Sequence, residues 1–592
     1  MTEVFRANLA AIERRYPGLK TLVDSDLDGG IDPHNLNSSK LVTKEVNHQK
    51  GSGLFFVTGV GSGECFDWLT QFLSKESAVF VIVERDWERF LSLCRQRDLR
   101  SFIENKRVHF IFPKTLAEFA SQILVPFHMK RRASLMKSLT ILHPDNLSQD
   151  DLNLYTQCER QLRANQDLFS SMTGYRADGL MGLKYFVENI PWIESTPGVA
   201  CFENVFAGSS AVIASTGPSL GKSISYLRKI QNTHVIIAAD ASLKILLKAG
   251  IRPHFVCSLE RELASKLFFE GIDPSMATAR LVAFPEVPAA VIEAYPGPKI
   301  VAYRKQLSHF YFEQQAPRGA IGAGHSVAHM CLQLASYLGC SEIALVGQDL
   351  AFDPDSLSTH AENVAYADWS RANSEDELKA KLAKEKDQLF WMPGNLRERV
   401  PTRGYYIVFA WEFGAQVSML KSRVTNCTDG GMQIPHVPWQ QFDQWISATA
   451  QHSSVQETIN KVRAVTVTGN IDLTPLVKVI RDWESHLLSQ SSILRALGSQ
   501  TSQPPDGDRV NRPFLIQALS ILQKLHSDHV IEAFAQDILG KEVVAIEEKL
   551  WGVERPEDLD GQSLKALSDY FETIASGLSD SRSVLTQTPK SR

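Results

Sequence analysis

The 592-residue chain has no run of about 18 apolar residues, the length needed to cross a bilayer, which argues against a membrane-spanning helix. It also has little net charge. Its 62 Lys and Arg stand against 67 Asp and Glu, a formal net of −5, so no bulk field draws it to nucleic acid or an anionic membrane. Eight cysteines are scattered, with no Cys-x-x-Cys pair and no clustered histidine. That spacing excludes a zinc ribbon or a disulfide frame and predicts reduced, mostly core thiols, with no bound metal. Residues 1–20 carry Glu3, Arg6, Glu13, Arg14 and Arg15, so no apolar leader is expected there and the protein reads as cytoplasmic. No internal repeat is evident. What the chain does have is 44% hydrophobic residues, enough for about two to four domains to bury a core each. The expected division is an α/β domain over 1–175, a central domain over 176–437 and a helical domain over 438–592.

The most informative stretch lies in the middle. Ala211 to Ser215 reads as a buried strand, Thr216 and Gly217 supply a tight turn, and Pro218 suits the first turn of a helix toward Leu227. A strand that meets a helix N-terminus through a glycine turn is a ready anion site, with Ser219 adding a hydroxyl, and phosphate is the ligand that fits. An ordinary strand–turn–helix joint is the plainer alternative. His234 to Ala239 is a second strand, ending on Asp240, and a helix from Ala241 closes at Gly250. Pro253 to Ser258 is a third strand, ending near Glu260. Gly322-Ala-Gly-His-Ser326 opens a helix through Tyr337, and the strand Ile343 to Val346 ends in Gly347-Gln348-Asp349. Strands near 211–215, 234–239, 254–258, 280–284, 299–303 and 343–346 alternate with helices. The rhythm predicts an α/β fold with a doubly wound, mostly parallel, Rossmann-like sheet. Polar residues gather at the carboxyl ends of its strands, where such sheets bind ligands.

Upstream, a helix is expected from Glu3 to Tyr16, then a polar loop. The strand Gly53 to Thr58 leads into Gly59-Val-Gly61-Ser-Gly63 and a helix from Cys65 to Leu73. Strands follow at 79–83, ending in Glu84, and at 109–112. A Gly-x-Gly-x-Gly turn with an acid about twenty residues on is the dinucleotide or methyl-donor fingerprint, the acid accepting from ribose hydroxyls, so Gly59, Gly61, Gly63 and Glu84 form a possible nucleotide site. The same turn serves simple helix–strand packing. Residues 115–175 read as helices, with a small basic cluster at Lys130-Arg-Arg132. Past Asp349, Asp353-Pro-Asp355 reads as a solvated turn, 375–386 as an exposed charged helix, and 351–400 as a candidate lid. Order is expected to resume at Gly404. From Pro438 onward, amphipathic patterns such as Leu476-Ile480-Trp483-Leu487, Phe514-Ala518-Ile521-Leu525 and Leu564-Leu567-Phe571-Ile574 suit packed helices, with a loop over 499–512.

The order Ser-Thr-Gly-Pro-Ser-Leu, Ala-Ala-Asp-Ala, Pro-His-Phe-Val-Cys-Ser-Leu-Glu, Gly-His-Ser-Val and Gly-Gln-Asp-Leu-Ala-Phe with His360 resembles the motility-associated factor (Maf) family of flagellin glycosyltransferases. Its central domain is similar to the 6-hydroxymethylpterin diphosphokinase MptE-like type, and more distantly to bacterial sialyltransferases that use CMP-activated sugars. The resemblance covers about 180–435, where Thr428-Asp-Gly-Gly431 is similar to the family's closing turn. It implies transfer of a nonulosonic acid (pseudaminic, legionaminic or sialic type) from a CMP-sugar co-substrate to Ser or Thr of flagellin, with no tightly bound cofactor. Donor contacts are then expected from Thr216, Gly217, Pro218, Ser219, Asp240, Ser242, Ser258, Glu260, Gly324, His325, Ser326 and Gln348. Ser326 is the better of the two hydroxyls for the leaving CMP. Related sialyltransferases carry Asn where this chain has Thr216. Such a transfer needs a base for the acceptor hydroxyl, and Asp349 and His360 are the two candidates. Two other readings stay open. One is pyrophosphate transfer from ATP with Mg²⁺ held by Asp240, Glu260 and Asp349. The other is a non-enzymatic factor that holds unpolymerised flagellin.

Overall fold

The computed structural model describes residues 2–15, 40–46, 53–73, 78–105, 107–115, 119, 139–164, 176–305, 307–361, 372–385, 387, 389–462, 469–500, 520–521, 524–525, 528, 530–531, 538 and 561–586. The expected loops at 17–39 and 501–512, the Lys130–Arg132 cluster, Phe514 and Ala518 lie outside the described residues. The chain divides into two units: 1–173 with 490–520 and 541–570, and 174–489 with 521–540 and 571–592.

The first unit holds strands β1 (Leu41–Val46), β2 (Gly53–Thr58), β3 (Ala78–Val83), β4 (Val108–Ile111) and β5 (Leu139–Pro144). Their order is β1-β5-β2-β3-β4, with β1 antiparallel to β5 and the other pairs parallel. Every residue of β2 and β3 is buried, as continuous apolar runs in a parallel sheet require. The helix Glu3–Arg15 buries Phe5, Leu9 and Ile12 on one stripe. Its Asn8 donates to the Cys94 and Arg97 carbonyls at 2.8 and 2.7 Å, closing the end of the helix Trp87–Gln96. Two elements depart from the sequence reading. β1 lies where a polar loop was expected, and β5 interrupts the expected helices of 115–175. Of the six residues of β5 only Leu139, Ile141 and Leu142 are aliphatic, and no glycine flanks the strand, so little local pattern marks it.

The second unit is built on seven parallel strands in the order β10-β9-β8-β7-β6-β13-β16. They are β6 (Ser210–Ala214), β7 (Val235–Ala239), β8 (Phe255–Ser258), β9 (Arg280–Ala283), β10 (Lys299–Val301), β13 (Glu342–Val346) and β16 (Arg423–Asn426). Two small ribbons accompany the sheet: β11 (Tyr303–Arg304) with β12 (Ala320–Ile321), and β14 (Leu389–Pro393) with β15 (Arg399–Arg403). On one face Leu227, Leu243, Leu246, Val291 and Trp445 pack with Val212, Ile236, Val256 and Leu281 in one core. The helix Val327–Tyr337 lies against β6, β7 and β8. Helices thus bracket the sheet, as a doubly wound fold demands. The helix near Pro218 begins only at Leu220, and order resumes earlier than Gly404, because β14 and β15 precede the helix Gly404–Met419. Within the expected lid, Phe352, Ala372, Leu378 and Leu382 form a small core of their own. Farther on, Leu476, Ile480 and Leu487 are wholly buried, and Glu484 pairs with Arg582 at 2.9 Å. No helix among the described residues is long and apolar enough to cross a membrane.

Candidate functional site

From β6 the chain steps to β7, β8, β9 and β10 on one side, then returns to add β13 and β16 on the other. The connections therefore diverge between β6 and β13, the kind of topological switch point at whose carboxyl ends open α/β sheets bind ligands. The two expected loops meet there. The Gly217 N–H donates to the Gly347 carbonyl at 2.7 Å, and Ser215 Oγ donates to Gln348 Oε1 at 2.6 Å. Ser219 donates to Asp349 Oδ2 from its hydroxyl at 2.8 Å and its N–H at 3.3 Å. The carboxylate at this helix start is the protein's own Asp349, held by Ser219, which with Gly217 was expected to cradle a phosphate. A Cβ at Gly217 would run into the Asp349 carboxylate, and one at Gly431 into the Asp349 backbone, so the closing Gly430-Gly431 turn does pack on this residue. Burial pushes the Asp349 acid up to about 6, against the Ser219 bonds. As an expected base, Asp349 is 5% exposed with one oxygen already taken. Thr216 and Pro218 remain half-buried, with the Thr216 carbonyl accepting from Ala361 N–H at 2.8 Å. His360, the other expected base, is half-buried with Nδ1 2.8 Å from Thr359 Oγ1, and burial pulls its pKa down. Asp353 holds its own turn through Asp355 N–H and Ser356.

At the next tips, Asp240 accepts from the Ala241 N–H and from Ser258 Oγ, both at 2.8 Å, and is 2% exposed. Burial pushes it up to about 7, Ser258 pulls the other way, and Glu260 adds to the rise. Ser242 turns its hydroxyl to the Ala214 and Ala239 carbonyls at 2.8 Å, bridging the ends of β6 and β7. Asp240, Ser242 and Ser258, all expected donor contacts, are thus buried at the ends of β7 and β8 and bonded to one another or to backbone carbonyls. Glu260 is half-buried. Burial raises its acid and the Arg304 charge opposes this. Arg304 reaches the Gly324 carbonyl at 3.4 Å. Farther in, Glu286 receives Arg261 at 3.2 Å and His309 at 3.3 Å; burial would raise it, but these neighbours hold it well below the carboxylate range.

Gly324, His325 and Ser326 begin the helix Val327–Tyr337, and again a carboxylate comes from far along the chain. Glu412 Oε2 accepts from the His325 N–H at 3.0 Å and lies 2.7 Å from His325 Nδ1. Ser326 Oγ lies 2.7 Å from His329 Nδ1, and His329 Nε2 is 3.1 Å from the Phe409 carbonyl. Burial alone would raise the Glu412 acid, yet His329 and His325 hold it at about 2. Burial pulls the wholly buried His329 down, against the pull of Glu412. His325 is exposed and Ser326 half-exposed, so this second start is the open one. Sequence reasoning missed Arg304, Glu412 and His329. Only His329 left a signal, three residues after Ser326 and so one helical turn away on the same face. Asp240, Glu260 and Asp349 are not drawn into one cluster, and no three His, Cys, Asp or Glu among the described residues group so as to hold a metal ion.

In the first unit the turn Gly59–Gly63 follows β2 as expected, with positive φ at Gly59, Gly61 and Gly63. Glu84, however, is wholly buried. It accepts from the Val60 N–H at 2.9 Å, the Asp86 N–H at 2.8 Å, Arg89 at 3.1 Å and Tyr155 at 3.2 Å. It braces the glycine turn from within, at the position where its spacing suggests a ribose contact. A Cβ at Gly59 would stand 2.9 Å from Leu147, and one at Gly63 2.9 Å from Leu93, so packing accounts for both glycines.

Comparison with curated proteins finds no match. Among solved structures, the Maf glycosyltransferase from Magnetospirillum magneticum AMB-1 is similar at a TM-score of 0.48 and 15% identity, over 100% of this chain and 83% of that one. Residues 184–355, which run from before β6 through β13 and include both helix starts, match the model of the 6-hydroxymethylpterin diphosphokinase MptE-like family, and it is to this family that the central part of the chain is similar.

Proposed function

We propose that the second unit is a glycosyltransferase working at the carboxyl edge of its parallel sheet. The finer reading is transfer of a nonulosonic acid, of pseudaminic, legionaminic or sialic type, from a CMP-sugar to Ser or Thr of flagellin in the cytoplasm, with no tightly bound cofactor. One observation carries the proposal. The loops after β6 and β13 meet at the switch point while Glu260, Arg304, His325 and Ser326 stand at the neighbouring tips with part of their surface open. The motif series that resembles the motility-associated factor family runs through these same loops. With the first helix start filled by Asp349, donor phosphate falls to the second, where Arg304 supplies charge and Val327 and Ala328 precede the intrahelical ladder.

A second reading is favoured by the family match over 184–355, which points to pyrophosphate transfer from ATP to a pterin alcohol. That chemistry needs Mg²⁺. The expected ligands do not suit it: Asp240 and Asp349 are committed to Ser258 and Ser219, and no cluster joins them to Glu260. Calorimetry with CMP, and separately with ATP and Mg²⁺, decides between the two. Heat with CMP alone is expected; heat only with ATP and Mg²⁺ replaces sugar transfer by the kinase reading. Intact mass of flagellin co-expressed with the chain should rise by one or more nonulosonic acid residues. Flagellin that co-purifies at unmodified mass points to an assembly role.

A further inference from the structure

We infer that the acceptor hydroxyl loses its proton through Ser326 to His329, with Glu412 behind the imidazole, and that this relay is the general base of the sugar transfer proposed above, on which the inference rests. The tautomer follows from the partners. His329 Nε2 lies 3.1 Å from the Phe409 carbonyl, which can only accept, so Nε2 carries the proton. Nδ1 is then bare, and the hydroxyl of Ser326 at 2.7 Å donates to it. With its own proton committed inward, Ser326 Oγ offers lone pairs to the open side. It therefore suits a hydroxyl donor, and not the phosphate oxygen expected from the sequence.

The imidazole is locked in this pose. It stacks on Phe413 with centroids 4.1 Å apart and meets Phe409 edge-on at 5.7 Å. A buried imidazole resists charging unless a counter-charge is near. Glu412 Oε2 lies 3.6 Å from Nε2 and is held ionised by its surroundings. His325 faces the same carboxylate at 2.7 Å, and His325 and Glu412 are the charged groups that act on His329. A Cβ at Gly324 would stand 2.7 Å from both Glu412 Oε1 and His329 Cγ, so only glycine leaves room for the carboxylate beneath the helix start.

The step balances without a co-reactant. The acceptor oxygen bonds to the anomeric carbon as the bond from that carbon to the phosphate oxygen breaks, and the electron pair leaves on CMP. The acceptor proton passes to Ser326 Oγ as the Ser326 proton passes to His329 Nδ1, and Glu412 balances the new imidazolium charge.

The test uses the full chain with CMP for binding and CMP-N-acetylneuraminic acid with flagellin for turnover, read as CMP release. Ser326→Ala should bind CMP as the wild type does, lose about 10²–10⁴-fold in kcat, and lose the acid limb of the kcat–pH profile. Ser326→Thr, which keeps the hydroxyl, should retain most turnover. His329→Gln should match Ser326→Ala; should it fail to fold, Ser326→Ala decides alone. Wild-type kcat and an unchanged acid limb in Ser326→Ala overturn the relay, as does a loss of CMP affinity with kcat preserved, since that marks a phosphate contact. A wild-type chain that neither binds CMP nor releases it from the donor removes the sugar-transfer reading and the relay with it.

Discussion

Replacing Asp349 by Asn sets two forces on one carboxylate against each other. The start of the helix Leu220–Ile230 and the two Ser219 donors favour its charge, while burial opposes it. Burial wins: the acid rises from 3.8 to about 6. A gap of 2.2, taken as 6 minus 3.8, corresponds to about 3 kcal/mol at about 1.36 kcal/mol for each pH step. Because the folded chain keeps this proton longer than the unfolded chain, the favourable contribution is fully present below about pH 4 and is lost as pH rises through about 6. Asn can keep Oδ1 on Ser219 and does not titrate. The stability of Asp349→Asn minus that of the wild type should therefore grow by about 3 kcal/mol between about pH 4 and about pH 7.5. Urea unfolding of both proteins across that range, followed on the transition of the second unit, measures it. A difference that shrinks or changes sign as pH rises would refute the reasoning, because helix start and hydroxyl would then outweigh burial.

Three further outcomes are expected. Glu84→Ala leaves the Val60 and Asp86 N–H groups unmet and takes one of two buried carboxylates from Arg89, Asp151 remaining at 3.3 Å, so the first unit should lose about 3 kcal/mol in urea unfolding. Glu412 is held at about 2 from 4.5, so its contribution is present above 4.5 and lost as pH falls toward 2. That acid lability of about 3 kcal/mol should be absent in Glu412→Gln, as thermal melts against pH will tell. Arg318 is 1% exposed and donates to the Ile193, Glu194 and Pro317 carbonyls, so Arg318→Ala should cost the second unit about 3 kcal/mol or more and lower its Tm.

Much of this molecule is written in short-range pattern. Wholly apolar runs such as Ala211-Val-Ile-Ala and Val79-Phe-Val-Ile-Val suit strands covered on both faces, and Gly217 after the first and the Asp86 N-cap after the second mark where the chain turns into helices. From those features alone follow the parallel sheets, the edge on which polar residues gather, and the two helix starts. What the sequence could not disclose is which anion fills each start. A helix N-terminus attracts negative charge whatever its source, and the choice depends on where distant chain returns. Asp349 reaches Ser219 across 130 residues, and Glu412 reaches His325 across 87. Glu84 was legible as an acid at a strand end, but only packing turned its oxygens inward onto Val60 and Arg89. Strand β5 likewise exists because neighbours β1 and β2 complete its hydrogen bonds, a condition no local pattern records.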